Sequence, residues 1–494
     1  MSHDSTTTTD SRLRVGLRET AVALAAGVAA LAGSYAVAGF TPEFVAAPVS
    51  RLVVAATPDA VVAWSIGTLG DLGARLGFAL AVALTVGAFA VAASVGTRLA
   101  ERVGISNWTV AGLACAAVAF GLTGAVVAGL AAGVGASVVI AAAGVQRRGP
   151  TDPSAVRRRI LRAVAASAAV GSVGGVLGSR QGGESERTDA EDVDISPEVE
   201  GLLGGAAERS LDVSGIEPLV SQQFYQVDIN GVDPSIDADS WSLRVTGAVE
   251  DERDFDYDDL TGMESEHRFV TLRCVGEPLN GKKMDNALWT GVAVTDLLGD
   301  LPEECCVMAR AVDDYFQEFP LSALEDAFLA YEMNGRPLPR GHGHPVRLLV
   351  PGHWGEINVK WITELEVLEQ EVEGYWEERG WNGTGPVETV AKLHAVNHLE
   401  DGRVQVGGHA YAGTRGIETV EVSTDGGETW TDAHLSDELP GDDVWRQWEH
   451  TYEPSGAHEV VVRATDSEGT LQPREERDAF PNGATGWVTE RVEP

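Results

Sequence analysis

The stretch Leu329-Ala-Tyr-Glu-Met-Asn-Gly-Arg-Pro-Leu-Pro-Arg-Gly-His-Gly-His-Pro-Val-Arg-Leu-Leu-Val-Pro-Gly-His-Trp-Gly-Glu-Ile-Asn-Val-Lys-Trp361 decides how this chain is read. It sets His342 and Arg347 five residues apart, adds His344 and His353, and ends with Lys360 between Val359 and Trp361. The lysine is informative by chemistry alone. Only four Lys (Lys282, Lys283, Lys360, Lys392) stand among 36 basic residues, yet one occupies what reads as an apolar strand. A cation at a buried edge needs an anion to offset its desolvation. The plain alternative is a stem lying on the surface with its ammonium in water.

On either side, short alternating segments separated by turn residues predict a mixed α+β domain over 213–385. Trp241-Ser-Leu-Arg-Val-Thr-Gly-Ala-Val249 alternates as a strand, and Phe269-Val-Thr-Leu-Arg-Cys274 is another with a thiol as its last residue. A Cys there, before Val-Gly-Glu-Pro278, sits on a loop where it can face a cleft, whereas a lone Cys elsewhere is usually a small buried hydrophobe. Beyond 386, Val404–Tyr411, Ile417–Trp430 with its Asp425-Gly426-Gly427 turn, Trp445–Trp448 and Glu459–Gly469 predict an all-β sandwich over 386–494.

Cys274, the downstream Trp289-Thr-Gly-Val292 and the 329–361 stretch together resemble the sulfite oxidase family, whose active site is a molybdenum atom held by a pterin; the resemblance covers roughly 215–494. It implies that Cys274 is the protein thiolate on the metal, a soft ligand on a rigid edge. It places His342 and Arg347 against the pterin, and Asn358, Val359 and Lys360 around its phosphate end. Gln222, Phe224, Tyr225 and Gln226 correspond to the family's first pterin-lining strand. Asp313 corresponds to a pterin contact and Tyr315 to a tyrosine near the metal's oxo group, able to bind substrate or relay a proton. Sulfite oxidases proper carry Arg, then Asn and His, where this chain has Tyr225, Gln226 and Val227. The Phe224-Tyr225 pair instead resembles the branch that reduces protein methionine sulfoxide. The C-terminal sandwich resembles the family's immunoglobulin-like dimerisation domain, and from it Arg415 or Arg446 is a candidate to reach the site.

The first 200 residues are a separate matter. Apolar runs at 19–40, 74–97, 108–126, 127–145 and 160–178 each approach the ~20 residues that cross a bilayer. A membrane anchor of about five helices is expected over 19–178, after a cytoplasmic tail at 1–18. Between the first two runs, 44–67 reads as an extracytoplasmic loop or interfacial helix, because Pro48, Pro58 and Asp59 interrupt it. Arg12, Arg14, Arg18, Arg98, Arg102, Arg147, Arg148, Arg157, Arg158, Arg159 and Arg162 flank alternate loops, which puts the C-terminal part outside the cell membrane. Arg157-Arg158-Arg159-Ile160-Leu161-Arg162 also resembles an internal twin-arginine export signal, or is flanking charge and no more. Residues 1–190 hold one histidine, His3, so bis-His haem ligation in the spans is not expected. Residues 179–212, rich in Gly, Ser and acids, read as a flexible linker.

Charge divides the chain. Residues 1–178 carry thirteen Arg and eight acids, net +5, while the remaining 316 hold the other 23 basic and 66 acidic residues, net −43. Such a surface repels nucleic acid. Its acidity and scarcity of Lys resemble proteins of extreme halophiles, where salt screens the repulsion. Four Cys with no CxxC spacing predict neither a disulfide framework nor a zinc site. The expected whole is a multi-domain, membrane-anchored, extracytoplasmic molybdopterin oxidoreductase. It would act on a small sulfur- or nitrogen-oxo substrate, exchange electrons with a separate carrier, and form a homodimer through its C-terminal domain. The alternatives are an S- or N-oxide reductase on the same fold and a non-enzymatic surface binding protein.

Overall fold

A computed structural model describes residues 5–144, 153–188, 195–298 and 305–493. The chain divides into two compact units. One comprises Met1–Pro58, Asp71–Glu191 and Asp228–Ser235; the other comprises Asp59–Gly70, Asp192–Val227 and Ile236–Pro494.

The first unit is helical. Four of its segments are long and apolar enough to cross a membrane: Glu19–Ala38, Leu72–Val103, Val126–Gly144 and Ile160–Ser179. The expected span at 108–126 is the helix Asn107–Thr123, which at 17 residues is shorter than these. Gly124, in the left-handed region at φ 70°, ends it and separates it from the helix Val126–Gly144. The first helix starts at Ser5, so most of the expected tail continues the span. His3, Arg147 and Arg148 lie outside the described residues.

Apolar helices pack closely where small residues let their backbones approach. Here a Cβ on Gly27 would come 2.5 Å from the Val86 carbonyl oxygen, and one on Gly135 would overlap the Ala29 carbonyl. Gly135→Val is therefore expected to force the helix that starts at Ser5 and the helix Val126–Gly144 apart, costing about 1–3 kcal/mol. Unfolding in detergent should register that loss, and an unchanged midpoint would refute the packing argument.

The second unit is rich in β structure. One sheet runs Arg253–Asp256, Ser242–Gly247, Ile362–Leu368, Cys306–Ala311, Phe316–Pro320, with the second and third strands parallel. A second runs Glu266–Arg273, Met284–Ala293, Phe328–Met333, Arg336–Pro337, with Arg347–Leu349 also paired to Phe328–Met333. Leu243, Val292, Leu329, Leu348 and Leu365 belong to one buried cluster that both sheets supply. In the C-terminal part, Val404–Tyr411 and Arg446–Tyr452 form the centre of one antiparallel sheet, and Ile417–Ser423 and His458–Asp466 the centre of another. Val406, Val420, Trp448, Val460 and Val462 fill the core they share. The Asp425 turn does join two antiparallel strands, with Glu421 opposite Asp432, and the Asp425 carboxylate accepts the Glu428 and Thr429 N–H groups.

Several expectations change. The linker at 179–212 is helical at both ends: one helix continues to Thr188, and Pro197–Arg209 forms another. Ser196 caps the latter by accepting the Val199 N–H at 3.2 Å, and Val199 and Ala206 are buried. Residues 221–226 form no strand, because side chains take up their polar groups: the Tyr225 N–H goes to Asp285. Lys360 sits on the turn before Ile362–Leu368, not in a strand. Cys305 and Cys306 are joined to each other by a disulfide.

Candidate active site

Cys274 directly follows the strand Glu266–Arg273, as expected, and opens a loop that returns at Lys283, whose carbonyl accepts the Cys274 N–H at 2.9 Å. Burial pushes its thiol up to about 11, against the pull of the Lys283 ammonium. A cation that coordinates such a thiol deprotonates it.

The loop is held from beneath by groups that sequence reasoning missed. Glu277, 1% exposed, accepts the Lys283 N–H at 2.7 Å on one oxygen, and on the other Arg273 Nε at 3.3 Å and the Lys392 ammonium. Lys392 comes from the C-terminal part and also donates to the Gly281 carbonyl at 3.0 Å. Arg273 donates to the Glu388 and Ala484 carbonyls and lies over the Trp354 ring at 4.6 Å. Desolvation brings the ammonium of Lys392 down to about 8 in spite of Glu277. The signals were present: Arg273 and Glu277 flank Cys274, and Lys392 is one of four lysines.

Five of the expected pterin residues, Phe224, Tyr225, His342, Arg347 and Lys360, meet in one patch. Phe224 stacks on Tyr225 at 5.5 Å and meets Trp289 and His342 edge-on at 5.6 Å each. The Arg347 guanidinium lies over Trp289 at 5.1 Å and donates to the His342 and Asn358 carbonyls, both at 3.2 Å. Lys360 donates to the Gly341 carbonyl at 2.9 Å and stands over Trp361. Burial, then the Arg347 and Lys360 cations, bring His342 down to about 3, so its imidazole is neutral. Gln226 packs on Gly341, where a Cβ would come 2.6 Å from its Oε1. The polar groups of Asn358 are used internally: its carboxamide accepts the Val350 N–H and donates to the Trp354 carbonyl. Buried Val359 serves by its carbonyl, which accepts the Leu348 N–H. Gln222 is exposed, its N–H on Glu217.

Asp313 is buried and accepts the Tyr315 N–H at 3.2 Å. The Tyr315 hydroxyl donates to the Glu356 carbonyl at 2.7 Å. Tyr225 ties the groups together: a Cβ on Gly355 would stand 2.9 Å from its hydroxyl and 3.2 Å from the Arg273 carbonyl, and burial first and then Cys274 raise its phenol. Arg415 and Arg446 do not reach this region; Arg415 pairs with Asp466 and Arg446 with Glu438. A soft thiol, two anchored cations, a neutral imidazole and an aromatic wedge suit a metal bound by an anionic, polar heterocycle. His342, Arg347 and Lys360 would hold the pterin and Cys274 the metal.

Residues 230–376 match the oxidoreductase molybdopterin binding domain, and residues 386–480 the Mo-co oxidoreductase dimerisation domain. The chain is 29% identical over 297 residues to the mitochondrial sulfite oxidase of Homo sapiens, covering 49% of this chain and 54% of that one. It is 28% identical over 346 residues to the sulfite oxidase of Arabidopsis thaliana, covering 53% and 88%. With the sulfite oxidase of Gallus gallus it shares 30% over 297 residues, covering 49% and 65%. The match thus spans about half the length of the human relative. These similarities set aside the reading as a non-enzymatic binding protein. Residues 230–376 and 386–480 thus carry the two domains of a sulfite oxidase family molybdopterin-dependent oxidoreductase.

Proposed function

We propose that this protein is a membrane-anchored oxidoreductase that moves an oxygen atom between water and a small sulfur- or nitrogen-oxo compound. The observation that carries the reading is Cys274 at a strand end, joined to the cradle through Tyr225: the Tyr225 phenol feels both Cys274 and Arg347, and its stacking partner Phe224 meets His342. When bound, the molybdenum cofactor supplies two-electron oxygen-atom transfer. Cys274 supplies the thiolate, Arg347 and Lys360 offset the cofactor's negative charge, and neutral His342 offers one donor and one acceptor. Tyr315 carries a proton at Oη toward the substrate side. The apolar helices anchor the enzyme, with its β-rich unit on the extracytoplasmic side, and a separate carrier exchanges the electrons. The C-terminal part is read as an immunoglobulin-like domain that pairs two copies.

A second reading, reduction of an S- or N-oxide, is favoured by one feature: Tyr225, paired with Phe224, falls where the resemblance puts the Arg that binds the anion in sulfite oxidases proper. The test is metal and pterin content of protein purified in high salt from its native host, followed by assays with sulfite and with methionine sulfoxide. About one molybdenum per chain and turnover of either compound are expected. Folded protein without metal or pterin would defeat both readings.

A further inference from the structure

The β-rich unit buries an acid pair that the family resemblance leaves unassigned. Glu356 is 7% exposed, and neither of its carboxylate oxygens has a hydrogen-bond partner; one Glu377 oxygen is in the same condition. The Glu377 carboxyl and the Gly383 N–H act on the charge of Glu356, yet neither meets its oxygens with full hydrogen-bond geometry. The other Glu377 oxygen accepts from Gln317 Nε2, and Gln317 Oε1 accepts the Tyr315 hydroxyl at 3.3 Å. The same hydroxyl donates to the Glu356 backbone carbonyl at 2.7 Å.

Glycines make room for the pair. A Cβ on Gly383 would come 2.6 Å from Glu356 Oε1, and one on Gly374 would come 2.6 Å from Glu377 Oε2. The titratable and charged groups around the two acids are Tyr315 and Asp313, Tyr375 and Arg379, Glu318, and Cys274. Arg379 leads outward, its guanidinium 3.2 Å from Asp59, a half-exposed acid of the same unit. Two carboxyls in one desolvated site cannot both be charged, so a proton is held between them.

We propose that Glu356 and Glu377 form a proton store for the active site, exchanging protons with the Tyr315 side as oxygen-atom transfer proceeds. This rests on the function proposed above. In the oxidative direction a substrate and one water give the oxo product, two protons and two electrons; the electrons go to the carrier and one proton at a time enters the pair. In the reductive direction the same two protons return and leave in water. Each direction therefore needs a group beside the site that can hold one proton and release it.

The test uses the full chain with Glu356→Gln and, separately, Glu377→Gln. Molybdenum and pterin content should match the wild type, while turnover falls on the order of 10²-fold and the limb of the kcat profile set by a group at about 8, alkaline in the reductive direction and acid in the oxidative one, disappears. Two readouts do not require turnover. Infrared spectra at neutral pH should show a carboxylic-acid carbonyl band that Glu356→Gln removes. Burial first, then Glu377, raise Glu356 to about 8, above its ordinary value of 4.5. Its share of stability is thus full below that ordinary value and is lost as pH rises through about 8. The wild-type unfolding midpoint should fall across that window, and Glu356→Gln should flatten the fall. Absence of the infrared band, or a metal-loaded Glu356→Gln with turnover within about twofold of wild type and an unchanged pH profile, overturns the proposal alone. Wild-type protein without metal would overturn the functional reading and this proposal with it.

Discussion

Cys274→Ser is expected to lower turnover by at least about 10³-fold, or on the order of 4 kcal/mol of transition-state stabilisation, while leaving the protein as stable as the wild type. The two expectations have separate physical grounds. The loop is held mainly by the Cys274 backbone N–H and by Glu277, and the one contact of the thiol itself, with the Gly276 N–H, is one that a serine oxygen also accepts. A hydroxyl of similar size should therefore fit without moving Arg273 or Lys283. Oxygen is a hard donor with little tendency to ionise, so it replaces the thiolate poorly on a metal that the family binds through sulfur. Steady-state rates normalised to molybdenum content, with unfolding curves beside them, check both halves. A variant that retains more than about a tenth of the rate would remove Cys274 from the ligand role.

Glu277→Gln should have the larger effect on stability, roughly 3–5 kcal/mol. The wild-type carboxylate stands between two buried cations, Arg273 and Lys392, and also accepts the Lys283 N–H. Glutamine keeps the shape but removes the charge, so two desolvated cations are left facing each other. Lys392→Met is a milder change, because the Arg273–Glu277 pair survives it. The order of the two unfolding midpoints, measured at constant high salt, decides the matter. If Lys392→Met proves the more damaging, the carboxylate is not the centre of the cluster. Any loss of metal in Lys392→Met would show that the C-terminal part helps to shape the Cys274 loop.

Much of this was legible in residue order, and what was not has definite causes. Cys274 could be placed because the apolar alternation from Phe269 runs straight into it, and the strand does end at Arg273. Lys360 was conspicuous for its rarity, although Trp361, at φ 51°, turns the chain there and keeps the lysine off the following strand. The helix Pro197–Arg209 was obscured by Gly201, Gly204 and Gly205. Its cap was nevertheless written in the chain, since Ser196-Pro197-Glu198 is a strong helix start. The helix has a docking purpose as well: a Cβ on Gly335 would press against Val199 and Ile195. Gln222 to Gln226 was read as strand from resemblance alone, whereas its anchor, Asp285, lies some sixty positions away. Long-range partners of this kind leave no local trace. The same holds for Glu356 and Glu377, and for Lys392 under the Cys274 loop, where pairing depends on the completed sheet order.

One feature of the fold bears on how the protein can be handled. Residues 59–70 belong to the β-rich unit although they lie between helices of the other, and residues 228–235 belong to the helical unit although they lie within the β-rich sequence. A shortened chain starting at Asp192, the obvious choice for a soluble enzyme, would lack a helix of its own body and leave Arg379 without Asp59. It would also carry eight residues that belong elsewhere. No single cut yields either unit whole, so the full chain is the form in which each unit keeps all of its residues.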